Sequence, residues 1–100
     1  MAVRCPIHGL SGVCIYSPSL LTLRDDGTLP DIVSVEIKDR PDQIAFFAIN
    51  ITAEEAKSYP IVNGYLPFDY DTYEIMERLP EMCGCCFAEQ RKALESQQSQ

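Results

Sequence analysis

Ile32-Val33-Ser34-Val35-Glu36-Ile37, Lys38-Asp39-Arg40-Pro41-Asp42-Gln43 and Ile44-Ala45-Phe46-Phe47-Ala48-Ile49 follow one another without a break, and residues 32–49 decide the fold class. The first segment has β-branched residues at nearly every second place, the pattern of a half-buried strand. The last is apolar throughout and reads as a more buried strand. The segment between them has turn chemistry at hairpin-loop length, so the two strands should pair antiparallel.

Working outward toward the N-terminus, Val13-Cys14-Ile15-Tyr16 is rich in strand formers. Ser17-Pro18 then has the form of an N-cap followed by proline at the first helical position, which predicts a helical turn through Leu20 to Leu23, ended by Asp26-Gly27. On the C-terminal side, Thr52-Ala53-Glu54-Glu55 has the spacing of a capping box and predicts a short helix to about Tyr59. Pro60 to Leu66 is interrupted by Asn63-Gly64, either a type I′ turn or a loop laid over the core. Asp71-Thr72-Tyr73-Glu74 opens a second helix with Ile75, Met76 and Leu79 on one side, and Pro80 stops it. A last helix should start at Cys83-Gly84-Cys85-Cys86 and carry Phe87 and Leu94 on one face. The outcome is an α+β domain over residues 1–95: a small antiparallel sheet with short helices. The polar residues 96–100 are expected to be a disordered tail.

A chain of 100 residues holds one such domain. With 46% apolar and 23% charged residues it lies far from the composition of disordered chains. The balance of 8 Lys and Arg against 15 Asp and Glu gives a net charge of −7, the wrong sign for collecting phosphates by general electrostatics. No window has signal-peptide form or approaches the roughly 18 apolar residues of a membrane span, so a cytoplasmic protein is the expectation.

Five cysteines are an odd count, and three of them crowd into residues 83–86, which favours metal ligation or redox chemistry over a disulfide scaffold. Cys5-Pro6-Ile7-His8-Gly9 sets a thiol and an imidazole three positions apart. Proline restricts that loop, and glycine permits the left-handed turn that lets backbone amides point at sulfur. Cys83 and Cys86 repeat the spacing, and a helix starting there adds free amides that stabilise thiolate. Cys85 competes with Cys83 as a ligand, because a CxC spacing also chelates. Cys14 lies in a strand-like run and reads as core. The plain alternative is that these thiols are unrelated and buried as small hydrophobes.

These motifs resemble the split zinc knuckles of the zinc-ribbon and treble-clef groups, in particular small bacterial proteins with a CPxHG knuckle near the N-terminus and a CxxC pair later. The resemblance covers residues 5–9 and 83–86. It implies one structural Zn2+ held by Cys5, His8, Cys83 and Cys86, joining the N-terminus to the C-terminal helix. The whole body of the domain lies between the two halves, unlike a short finger.

Three thiolates around zinc make a closed site, and the single histidine is spent on it, so no Cys-His or Ser-His pair remains and an enzyme is not expected. Asp69-Tyr70-Asp71-Thr72-Tyr73-Glu74, followed by Glu77, invites two readings. Either the acids cap and solvate a helix while the aromatics enter the core, or Asp69, Tyr70, Asp71, Tyr73, Glu74 and Glu77 form a surface for a basic protein partner. The second reading leads to a cytoplasmic, bacterial or phage interaction protein, most concretely an inhibitor or immunity protein that neutralises a basic toxin such as a nuclease. Two alternatives are a nucleic-acid-associated zinc-ribbon regulator, with Arg78, Arg91 and Lys92 as its nearest cations, and a thiol redox protein using Cys83, Cys85 and Cys86.

Overall fold

The predicted hairpin is the centre of the computed structural model, which describes residues 2–45 and 47–98. Strand β3, Ile32–Ile37, lies antiparallel to β4, Phe47–Thr52, in a register that runs from Ile32 opposite Thr52 to Ile37 opposite Phe47. Three further strands precede or follow them: β1, Ala2–Cys5; β2, Gly9–Tyr16; and β5, Tyr65–Leu66. A last strand, β6, covers Glu81–Cys83, and the helices are α1, Ala53–Ala56; α2, Tyr70–Arg78; and α3, Gly84–Gln98. The α+β class is as expected.

The β4 strand begins three residues later than the apolar run suggests. Ile49 and Ile51 are buried, whereas Ala48 is exposed, so the odd positions form the core face. Extending the strand backwards places Ile44 on the side of Ala48 and offers the core only Ala45, because side chains alternate strictly along a strand. Ile44 is 90% exposed.

The sheet order is β1-β2-β4-β3-β5, with β6 also paired to β2. Its core pairings are more varied than a simple antiparallel sheet. The β2–β4 and β3–β5 pairs are parallel, because each joins strands separated by a long connection and not by a tight turn. Ile15, Val35, Ile37, Ile49, Ile51 and Leu66 form the core cluster, against which Ile75 and Met76 of α2 and Leu79 at its C-cap pack as their spacing predicts. Asn63 and Gly64 have φ of 54° and 87°, and Val62 and Tyr65 exchange backbone hydrogen bonds of 2.8 and 3.1 Å around them. This is the I′ type of turn, in which both central residues need positive φ. It folds Tyr65 and Leu66 back onto β3.

Local caps explain the remaining boundaries. Ser17 precedes a 3-10 turn over Pro18–Leu21, but its hydroxyl does not cap that turn; it donates to Glu55 Oε2 at 2.8 Å. The capping box of α1 is complete: Glu55 N–H donates to Thr52 Oγ1 at 3.0 Å and Thr52 N–H to Glu55 Oε1 at 2.9 Å. Helix α2 is capped by Asp69 and not by Asp71, since the Asp69 carboxylate accepts from Thr72 N–H at 2.9 Å, leaving Asp71 in the positive first turn. The polar tail expected at residues 96–100 is helical as far as Gln98, where helix-tolerant glutamines and a Ser96 Oγ bond to the Lys92 carbonyl continue α3. Residues 99 and 100 lie outside the described residues. Arg91 of α3 donates to the Leu20 and Pro30 carbonyls at 3.3 and 3.0 Å, fastening the helix to the turn after β2 and to the approach to β3.

Glu55 links three segments and makes a pH-dependent prediction. Partial burial raises its carboxyl pKa, but the Thr52 amide and the Ser17 and Thr52 hydroxyls outweigh burial and hold it below the ordinary value of 4.5. A depressed folded-state value means that the stabilisation is present above the unfolded value and is lost as pH falls through the folded one. Glu55→Ala should therefore cost about 1–2 kcal/mol at neutral pH. Urea unfolding of both proteins at neutral pH and below pH 4 checks this: the gap should narrow in acid, and a constant gap refutes the charged role.

Candidate metal centre

Two tight backbone turns build the centre. At the end of β1 the chain turns through Pro6, Ile7 and His8 into β2, and Gly9 closes the turn with φ of 70°, a conformation that a side chain disfavours. The amides of His8 and Ile7 point at the Cys5 sulfur and hold its pKa below the ordinary thiol value. The second turn is the passage from β6 into α3. Pairing of Val13 with Cys83 sets β6 beside β2, and α3 begins at the next residue.

The Cys83 thiol is pushed down to about 6 by the Ser11 hydroxyl first, then by the Cys86 and Cys85 amides. Both turns thus aim paired backbone N–H groups at a sulfur. The third thiol behaves oppositely. Cys86 is pushed up to about 12 by its hydrogen bond and charge repulsion with Cys5, together with burial and Cys83.

The four side chains meet at one point. His8 Nδ1 lies 3.5 Å from Cys5 Sγ, 3.6 Å from Cys83 Sγ and 3.5 Å from Cys86 Sγ. Cys5 and Cys86 sulfurs are 3.5 Å apart, and all four ligand atoms lie within 4.8 Å of one another. Cys5, His8, Cys83 and Cys86 are therefore close enough to hold one metal ion. Cys5 and Cys83 are buried, His8 and Cys86 half-buried.

No protein-family model, curated protein or solved structure matches the chain.

The competing candidates fall outside the cluster. Cys85 is exposed and takes a 3.8 Å contact from the Ser11 hydroxyl, while Cys14 is half-buried and accepts from Asn50 Nδ2 at 3.4 Å. Burial pushes the Cys14 thiol up. The sequence reading missed Glu89, whose Oε1 lies 2.9 Å from His8 Nε2. This contact comes first among the causes that lift His8 to about 9, ahead of Cys5. Its spacing of three from Cys86 on a helix was the available signal, since such residues share a face.

The acidic stretch also has a definite placement. Asp69, Tyr70, Asp71, Tyr73, Glu74 and Glu77 are all exposed, Tyr70 at 76% and Tyr73 at 52%. The reading in which these aromatics enter the core is overturned for both tyrosines. Thr72, not either tyrosine, is the α2 residue buried from this stretch, because Ile75, Met76 and Leu79 already fix which face turns inward. Among the described residues no helix is long and apolar enough to cross a membrane.

Proposed function

We propose that this chain is a zinc-stapled, non-catalytic interaction domain of the cytoplasm whose α2 face binds a basic protein partner. Its most concrete form is an inhibitor that covers the basic cleft of a toxin such as a nuclease. The observation that carries the reading is the pair of exposed tyrosines set among four carboxylates, Asp69 at the N-cap and Asp71, Glu74 and Glu77 on a helix whose apolar side is already packed. Tyrosine supplies contact area with a polar tip, and carboxylates steer a basic partner and fix its register.

Zinc is supported by donor chemistry and by size. Soft sulfur with one imidazole suits it. Bond lengths to tetrahedral zinc give ligand-atom separations of about 3.8 Å between sulfurs and about 3.6 Å from sulfur to nitrogen; here Cys5 and Cys86 sulfurs are 3.5 Å apart, the three sulfur–nitrogen distances are 3.5–3.6 Å, and all four ligand atoms lie within 4.8 Å of one another. Bound zinc would cross-link the two turns. With Cys5, His8, Cys83 and Cys86 all engaged, no position stays open for a reacting water. Freshly purified protein should carry one equivalent of zinc by mass spectrometry.

The partner is tested by capture from extracts of the source cells on immobilised domain. A basic protein should be retained, should elute with rising salt, and should be lost with Tyr70→Ala plus Tyr73→Ala. Each truncation should weaken binding by about 1–2 kcal/mol or more if these tyrosines are anchors. Their melting temperatures should match wild type, because exposed substitutions stay within about 0.5 kcal/mol. Equal retention by the double variant rejects this face as the binding surface.

A further inference from the structure

We propose that Glu89 is a positioning residue for the metal centre: its carboxylate keeps the His8 proton on Nε2 and the ring aimed so that zinc can take Nδ1 among the three sulfurs, and so sets the affinity for zinc. The inference rests on the zinc reading above and deepens it.

The geometry on both sides of the ring carries it. Nδ1 faces Cys5, Cys83 and Cys86 at 3.5–3.6 Å, while Nε2 faces Glu89 Oε1 at 2.9 Å. An ionised carboxylate only accepts, so the hydrogen in that contact belongs to Nε2. A neutral imidazole carries one proton; placing it on Nε2 leaves the Nδ1 lone pair free for a metal. Carboxylates that accept from a ligating histidine orient the ring and raise its basicity as a donor.

The same helix supplies both grips. Cys86 stands in the first turn of α3 and Glu89 one turn further on, so α3 holds one sulfur at the Nδ1 side of His8 and one oxygen at the Nε2 side. The two contacts span 78 and 81 positions of chain respectively. A rotation of α3 that broke one would break the other. Glu89 therefore couples the seating of the C-terminal helix to the aim of a ligand in the N-terminal turn. Its exposure does not undo this role, since the hydrogen bond acts on the ring's orientation.

The test is zinc affinity of the full chain, measured by competition with a chromophoric chelator for wild type, Glu89→Ala and Glu89→Gln. Alanine is the stronger helix former, so the first variant leaves α3 intact. It should bind zinc about ten- to a hundredfold more weakly. The glutamine oxygen still accepts from Nε2–H, so the second variant should recover most of that loss. A readout that mere helix support leaves alone is the His8 Nε2–H resonance in 15N spectra of the zinc form. It should be sharp and slow to exchange in wild type and Glu89→Gln, and lost to exchange in Glu89→Ala. Wild-type affinity in Glu89→Ala, or no recovery in Glu89→Gln, overturns the role of Glu89 while leaving the zinc reading standing. A wild-type chain that takes up no zinc overturns both.

Discussion

Cys86→Ser is expected to lose zinc and to lower the melting temperature by roughly 15–30 °C, given about 4 kcal/mol of lost stability and the entropy of unfolding of a domain this size. Cys5→Ser should behave alike. Both residues belong to the four-membered cluster, and their sulfurs touch across 81 positions of chain. Structural zinc contributes an apparent 10–16 kcal/mol, approximately, in small finger peptides that are unfolded without it. The loss here should be smaller, because Ile15, Val35, Ile37, Ile49, Ile51 and Leu66 pack together without any ligand residue.

That separation predicts where the damage falls. Amide exchange should accelerate in β1, in the first half of β2 and in the first turns of α3, while the β3–β4 pairing stays protected. A strong chelator should reproduce the melting shift in wild type and add nothing in Cys86→Ser. An unchanged melting temperature with full metal content defeats the assignment.

Ile49→Ala should have the second large effect, about 3–5 kcal/mol. Ile49 is fully buried, and β4 is paired on both sides at this position, with Ile15 of β2 across one edge and Val35 of β3 across the other. Truncation there opens a cavity where two pairings meet, and neither neighbour can close it without leaving its own ladder. Protection should then fall across the whole sheet, unlike the local loss expected from the cysteine variants. Ile44→Ala is the control. Urea unfolding should place it within about 0.5 kcal/mol of wild type, since Ile44 is exposed. A large loss there, or a small one at Ile49, reverses the assignment of the buried face.

The contrast between Ile44 and Ile49 shows what residues 32–49 disclosed and what they withheld. Apolarity marked a strand, but the choice of core face depends on partners outside the segment, and only the register with β3 settled it. Features closed within a few residues were legible: the Thr52–Glu55 capping box, the Asn63-Gly64 turn and both cysteine turns. Their defining bonds join near neighbours. Features made by distant contacts were not. Glu81–Cys83 is too short a strand to show periodicity and exists because it pairs with β2. Cys85 stood as a competitor to the assigned ligand Cys83, and it is the fold that buries Cys83 and leaves Cys85 exposed. Glu89 needed the orientation of the His8 ring, whose Nε2 side faces α3 only in the folded chain.

The cysteine turns also determine how the molecule carries mechanical load. Force applied to the two ends of the zinc-loaded chain enters at β1 and α3, and the shortest route between them runs through sulfur, metal and sulfur, bypassing the sheet. With that clamp closed, the ladder of β3 and β4 would be shielded from the load. Rupture at Cys5 and Cys86, 81 positions apart, would then pass the load to the folded body between them, whose complete unfolding frees roughly 270 Å of chain, less the initial span. With zinc bound as proposed, the centre would act as a mechanical fuse, and chelation should convert a single high-force event into gradual extension at low force.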